Sequence, residues 1–401
     1  MVKRWVLALV LIAIVIVGGA AGWFILNQKS TQETLRLYLL YMQLTRKPGY
    51  VEFYSYDPSR PLNAEVTPVE HDGTGGYDVY KVTFDSVDRT YVSSRVTAWL
   101  VTPLHPREGV GVVLLHGLSS NKTDALPTAK YFAANNFTCL AIDLPLHGER
   151  ATRPLDFDSD IVDVMIQAVF DVRRSIDFLE EKYGVEKVAL VGRSLGSLIG
   201  AVTLGIDGRI SVGALIATGG NLTYILHNSE ISKDQNVDKI LGDSRVCYTE
   251  PLNYIGNFNG SLQLHYAKND TVIPPQACLM LSEAATNCKN KEVIEHEGEH
   301  GISFDEVHDD VLRFLQSYLK SDLTAATRIA VSSSIRYPSK VHLADDSLSE
   351  PESVLFSVLT FNKSKNYRNL KLREFEMLNE LISPSKPMVF PPSRAVCFNV
   401  I

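Results

Sequence analysis

Lys187-Val188-Ala189-Leu190-Val191-Gly192-Arg193-Ser194-Leu195-Gly196 decides how the chain is read. Val188 to Val191 is a continuous apolar run, the signature of a strand covered on both faces. Residues 195–204 continue with an apolar pattern suited to a helix. Between them, Gly192, Ser194 and Gly196 spell G-x-S-x-G, a spacing that is common by accident but meaningful between a strand and a helix. A serine on so sharp a turn has a strained backbone. Glycines two positions before and after it remove side chains that would collide across the turn. The helix N-terminus beneath favours developing negative charge. This context marks Ser194 as a nucleophile.

Outward from this turn, strand and helix alternate from Tyr77 to Lys320. Tyr77–Asp85 and Arg95–Val101 alternate apolar and polar residues, as half-buried strands do. Val110–Leu115 is a second continuous apolar run. A helix at 125–135, a strand at 138–142 and a long amphipathic helix at 159–183 follow. After Ser194 come a strand at 210–217, a strand at Leu262–Ala267, a helix at 275–286, a strand at 292–296 and a helix at 303–320. Such alternation implies parallel pairing with right-handed crossovers and helices on both faces. The expected fold class is therefore α/β, a mostly parallel eight-stranded sheet with an antiparallel edge. Its ligand site should lie at the carboxyl ends of the strands.

Three further strand ends carry candidate chemistry. His116-Gly117 closes the run Val110–Leu115, and a loop there can present a backbone N–H to an oxyanion. The expected donors are the N–H groups of Leu118 and Leu195, each worth ~3 kcal/mol in a transition state. His116 itself reads either as a substrate contact or as a space-filling turn residue. Asp270 follows the strand Leu262–Ala267; it is placed to orient an imidazole, or to form an Asx turn before Pro274. His300 sits between Gly298 and Gly301 after the strand at 292–296, where a loop can carry its ring toward Ser194. His296 and His308 are the rivals, one in a strand and one in a helix. The order Ser194, Asp270, His300 separates this arrangement from other serine triads.

Taken together, His116-Gly117, Asp143-x-x-x-His147-Gly148-Glu149-Arg150, Gly192-Arg193-Ser194-Leu195-Gly196, Asp270-x-x-Ile273-Pro274 and His300-Gly301 resemble an α/β-hydrolase. The resemblance covers about 77–320. It is nearest to the branch that includes dienelactone-hydrolase-like, prolyl-oligopeptidase-like and serine-aminopeptidase-like enzymes. It implies ester, thioester or amide hydrolysis without a cofactor. Two departures stand out: no β-propeller precedes the domain, and residues 321–401 have no counterpart in the family. Glu149 or Arg150 reads as a partner of Arg193, as a contact for a substrate carboxylate, or as part of a bracing salt bridge.

Residues 221–258 interrupt the alternation and are too long for an ordinary connection. They hold Tyr224, Leu226, Tyr248 and Tyr254, and read as a small lid or as a surface excursion. Arg193, Tyr224 and Tyr254 join His116 as candidate substrate contacts. Residues 321–401 read as a β-rich appendage without recognisable chemistry.

At the other end, residues 5–26 carry no charge and match the ~20 residues that span a bilayer. Lys3 and Arg4 precede them. Residues 1–28 read as a signal anchor or a cleaved signal peptide, with the catalytic domain expected outside the cytoplasm. Residues 29–76 read as a stalk helix, opened by Ser30-x-x-Glu33, and a linker. Six N-x-[ST] sequons, at Asn121, Asn136, Asn221, Asn259, Asn269 and Asn362, fit an exported chain.

The formal net charge of −7, with no basic run, excludes nucleic acid as an expected partner. Hydrophobic content of 45% allows a sizeable core. Of the five cysteines, none forms C-x-x-C, and Cys278 with Cys288 could bridge. No metal ligand cluster such as H-E-x-x-H occurs. The expected partner is a small-molecule acyl substrate, with the membrane met through the N-terminal segment. Carboxylesterase activity leads, with peptidase and acyltransferase as variants. A non-catalytic, membrane-anchored scaffold is the rival of a different class.

Overall fold

The structure, a computed structural model, describes residues 50–107 and 109–319. The expected anchor, the stalk helix at 30–46, Cys397 and the C-terminal appendage lie outside the described residues. Among the described residues, no helix is long and apolar enough to cross a membrane.

A short helix α1 (Tyr50–Phe53) leads into β1 (Glu65–Asp72), β2 (Tyr77–Asp85) and β3 (Arg95–Pro103). Then follow β4 (Val110–Leu115), α2 (Leu126–Ala134), β5 (Thr138–Ile142), α3 (Phe157–Tyr183), β6 (Lys187–Arg193), α4 (Leu195–Leu204) and β7 (Ile210–Ile216). The insert 221–258 contributes α5 (Leu222–Asn228), α6 (Val237–Leu241) and several 3-10 turns. The fold closes with β8 (Ser261–Ala267), α7 (Pro275–Ala284), β9 (Asn290–His296) and α8 (Phe304–Tyr318).

The nine strands form one sheet in the order β1-β2-β3-β5-β4-β6-β7-β8-β9. The pairs from β1 to β5 along that order are antiparallel, and the rest are parallel. The ninth strand corrects the expected eight. Residues read from sequence as linker supply it as β1, an edge strand exposed along almost its whole length. Its pairing register shifts between Pro68 and Glu70, as a strand carrying a proline without a ladder N–H tends to do. With neither face buried, it has no alternation for sequence to display.

Helices on both faces explain the continuous apolar runs. In β4, Val113 and Leu115 pack into the core beneath α3 and α4. Val112 and Leu114 pack into the second core, with α2 and α8. The helices end where their caps dictate. α3 stops at Gly184 in the left-handed conformation. α8 starts at a capping box in which Ser303 Oγ accepts the Glu306 N–H and Glu306 accepts the Ser303 N–H.

The stretch Asp143–Arg150, after β5 and two strands across the sheet from β6, is braced rather than open. Asp143 accepts the Lys122 and Glu149 N–H groups and the Lys122 ammonium. Glu149 bridges Lys122 and Lys81. Arg150 donates to the carbonyls of Asp143 and Ser93 and pairs with Asp171 at 2.7 Å, both side chains being buried. Of the sequence readings for Glu149 and Arg150, the bracing salt bridge is the one found. Cys278 and Cys288 are not joined.

Removing one member of a buried pair strands the other charge, at a cost of ~3–5 kcal/mol. Asp171→Ala should lower stability to urea by that amount. Arg150→Met combined with Asp171→Leu should lose much less. Equal losses in the single and double variants would show that the pair's charge is not what the fold relies on.

Candidate active site

Ser194 sits between β6 and α4 with φ 52° and ψ −119°, a conformation L-residues rarely adopt. The flanking glycines are there for a steric reason. A Cβ on Gly192 would collide with the Gly196 carbonyl, and one on Gly196 would lie 2.5 Å from the Leu115 carbonyl oxygen. The turn is held by the Ser194 N–H donating to Ile216 O at 2.9 Å. It is also held by Ser197 Oγ–H donating to Ser194 O at 2.6 Å.

The three side chains singled out from sequence meet. Ser194 Oγ is 2.8 Å from His300 Nε2, and His300 Nδ1 is 2.7 Å from Asp270 Oδ2. Both sequence readings of Asp270 hold at once, because its oxygens divide the work. Oδ1 accepts the Val272 and Ile273 N–H groups at 2.8 Å each, forming the local turn, while Oδ2 faces the imidazole. The rival histidines are engaged elsewhere. His296 lies 2.9 Å from the buried His265, and the His308 ring packs at a tilt against Tyr131, centroids 4.2 Å apart.

Leu118 and Leu195 line the cavity beside Ser194. Their N–H groups have no protein acceptor among the described residues. Helix geometry explains the second, since a first-turn N–H has no partner within its helix.

None of the four expected substrate contacts lines the cavity. His116 is fully buried, and its Nε2 accepts the Leu144 N–H at 3.0 Å. Nδ1 therefore carries the proton and donates to Gly117 O at 2.7 Å. Burial pushes its pKa down to about 4, so the ring is a neutral brace between two loops. Tyr254 is fully buried against Tyr50 and Tyr54, where an aromatic side chain from the insert became core. Arg193 Nε donates to Ile302 O at 2.6 Å, which ties the residue next to Ser194 to the loop that carries His300. Burial lowers its pKa from the usual arginine range. Tyr224, half-buried on α5, does not line the cavity.

The cavity runs from Ser194 between the start of α3 and the insert, with a volume of about 80 Å³. Phe157, Ile161 and Met165 of α3 form one wall, and Leu222, Ile225 and Ile240 of the insert form another. No charged residue lines it; its polar side chains are Ser194, Ser229, Ser232 and Thr249. The insert is closed at its base by Glu250. That buried carboxylate accepts the N–H groups of Asn221, Leu222 and Leu252 at 2.8, 2.6 and 3.0 Å. The sequence hinted at this wall only through the insert's length. Among the described residues, no group of His, Cys, Asp and Glu is gathered as metal ligands would be.

A family model described as alpha/beta hydrolase fold matches residues 111–243. A 2-succinyl-6-hydroxy-2,4-cyclohexadiene-1-carboxylate synthase of Yersinia pseudotuberculosis is 29% identical over 130 residues, which is 32% of this chain and 42% of that protein. The match thus spans less than half the length of that relative. Among solved structures, an acetyl xylan esterase from Paenibacillus superposes with TM-score 0.54 and 21% identity, covering 68% of this chain and 96% of that one. An acetyl xylan esterase from Thermoanaerobacterium gives TM-score 0.50 and 14% identity, covering 66% and 92%. At these identities the likeness is one of fold.

The buried state of His116 has a pH signature. A histidine near 6.5 when unfolded and about 4 when folded binds its proton more readily in the unfolded chain. The stability this represents is present above pH 6.5 and is lost as the pH falls from there through 4. Between pH 7 and pH 4.5 it amounts to roughly 2–3 kcal/mol. In urea unfolding, the wild type should lose that much more than His116→Gln over this interval. Parallel losses in the two proteins would contradict a neutral His116.

Proposed function

The chain belongs to the α/β-hydrolase superfamily, and on that premise we propose that it is a serine hydrolase cleaving esters of short apolar acids through an acyl-enzyme on Ser194. The observation that carries the reading is the unbroken chain from Ser194 Oγ through His300 to Asp270, at 2.8 and 2.7 Å. His300 Nε2 accepts the serine proton as Oγ attacks the ester carbonyl, and Asp270 stabilises the imidazolium that forms. The N–H groups of Leu118 and Leu195, without protein acceptors, receive the developing oxyanion. His300 returns the proton to the leaving alcohol. Water then attacks the acyl-enzyme by the same steps in reverse.

The cavity supports the choice of substrate class. Its lining has no lysine, arginine or histidine to pair with a carboxylate, so the activity in the Yersinia relative's name is not carried over. Equally, it has no carboxylate to face a free amino terminus, which disfavours an aminopeptidase. An apolar wall with a volume of about 80 Å³, small beside the ~300–1,000 Å³ of drug-sized sites, suits a short acyl chain. Residues 221–258 serve in this reading as a fixed lid that excludes water from that chain.

A fluorophosphonate probe should label the protein at Ser194, and Ser194→Ala should abolish labelling. The same substitution should lower p-nitrophenyl ester turnover by about 10⁴-fold or more. Undiminished labelling or turnover in Ser194→Ala would refute the assignment. Failure of the soluble domain to turn over any ester of a short acid would favour a binding or scaffold role.

A further inference from the structure

His300 is carried by a loop that has little packing of its own. Glu297, Gly298, Glu299 and Gly301 are exposed. A Cβ on Gly298 or Gly301 would meet nothing within 4 Å. Upstream, the loop is fixed where Gly298 O accepts the Asn269 N–H at 2.9 Å. Downstream, Ile302 sinks its side chain into the second core, just before the capped start of α8. Its carbonyl accepts Arg193 Nε at 2.6 Å. Outside the triad, this is the one hydrogen bond from residues 299–302 to another part of the fold among the described residues.

The donor is an unusual choice for a brace. The buried Arg150 and Arg174 pair with Asp171 and Asp177, and the half-buried Arg173 and Arg209 share Asp207. Arg193 is half-buried too, yet it has no ion-pair partner among the described residues; Asp124, Glu306 and Asp270 act on it only from a distance. A cation taken from water without a counter-ion costs stability. Such groups gather at working sites more than in the rest of a fold. The same side chain also meets a second loop. Nη1 lies 3.2 Å from where a Cβ on Gly117 would stand, and Ser194 Cβ lies 3.2 Å from the same point. Gly117 precedes Leu118, one of the two oxyanion donors in the mechanism proposed for Ser194.

We propose that Arg193 is a positioning residue for hydrolysis, which holds the His300 loop through Ile302 O and the Leu118 loop through Gly117 in register with Ser194. This rests on the acyl-enzyme reading and adds a residue outside the triad to it. Arg193 shares a peptide bond with Ser194, so its backbone goes where Ser194 goes. The separation of Ser194 Oγ from His300 Nε2 is then set by one side chain beside them rather than by the length of the sheet. Arg193 does not line the cavity, so it acts on the reacting groups and not on the acyl chain. An interaction of that kind shows in kcat and kcat/KM equally and leaves KM alone.

The test uses the full-length chain, with p-nitrophenyl butanoate as substrate. Arg193→Met removes both donor and charge at similar length. It should lower kcat and kcat/KM together by about 10- to 100-fold, the order of loss that follows a misplaced base, with KM and melting temperature little changed. Arg193→Lys keeps the charge and an N–H donor, and should recover most of the lost kcat. Turnover by Arg193→Met equal to that of the wild type overturns the proposal. A loss confined to KM overturns it as well, since that marks a substrate contact. A fall in kcat that tracks a lower melting temperature in the Met and Lys variants alike marks a structural brace, and also overturns it. All three results leave the hydrolase reading intact. Absence of Ser194-dependent turnover in the wild type overturns both together.

Discussion

The site depends on a turn that has no room for a side chain at two of its positions. Gly196 faces the carbonyl of Leu115, the last residue of β4, and Gly192 faces Gly196 across the turn. This double approach holds Ser194 at φ 52°, a conformation costing of order 1–3 kcal/mol. The cost is offset by bonds on both sides, from the Ser194 N–H to Ile216 O on β7 and from Ser197 Oγ–H to Ser194 O. With β6 between β4 and β7, the hydroxyl emerges at the middle of the sheet. The loops after β4, β7, β8 and β9 all open toward the same end of their strands.

Those loops are tied to one another before any side-chain chemistry begins. Backbone bonds from Lys268 to His296 O and from Asn269 to Gly298 O, each 2.9 Å, lock the acid loop to the histidine loop. Arg193 then ties the histidine loop back to Ser194 through Ile302 O. The circuit Ser194, Arg193, Ile302, His300 is closed by short chain segments and one charged donor. The imidazole therefore has little freedom left to lose when a substrate binds, which is the physical content of preorganisation. Asp270 adds to it by spending one oxygen on its own backbone, so that the other can point only one way.

How legible all this was in the sequence follows from which constraints are local. The G-x-S-x-G turn is a local steric problem with one common solution, and the strands either side of it are apolar runs, so both could be read directly. Ser194, Asp270 and His300 were legible because each follows a strand. β1 was not, since an edge strand with two wet faces and Pro68 carries no periodic signal. Arg193 and His116 were named but given the wrong partners, because a carbonyl acceptor such as Ile302 O or Gly117 O has no identity in a sequence. Tyr254 misled for a related reason: a tyrosine in an insert looks available until the helix Tyr50–Phe53 and Tyr54, far away in the chain, are found packed around it.

The insert that walls the cavity is held by bonds of its own. Its two ends are stapled by the Glu250 carboxylate, which burial alone would drive toward the neutral form and which three N–H donors pull the other way. That staple ties the start of α5 to the far end of the insert, while Arg245 pairs with Asp163 and the Asn236 N–H donates to Asp158, both on α3. A backbone bond joins insert and acid loop, from the Glu230 N–H to Thr271 O at 2.8 Å. It carries no side-chain identity, so residues facing the cavity from the insert can change without altering how Ser194, His300 and Asp270 are held. The cavity wall is then free to vary while the arrangement of Ser194, His300 and Asp270, fixed by glycines and carbonyls at the ends of the strands, stays the same.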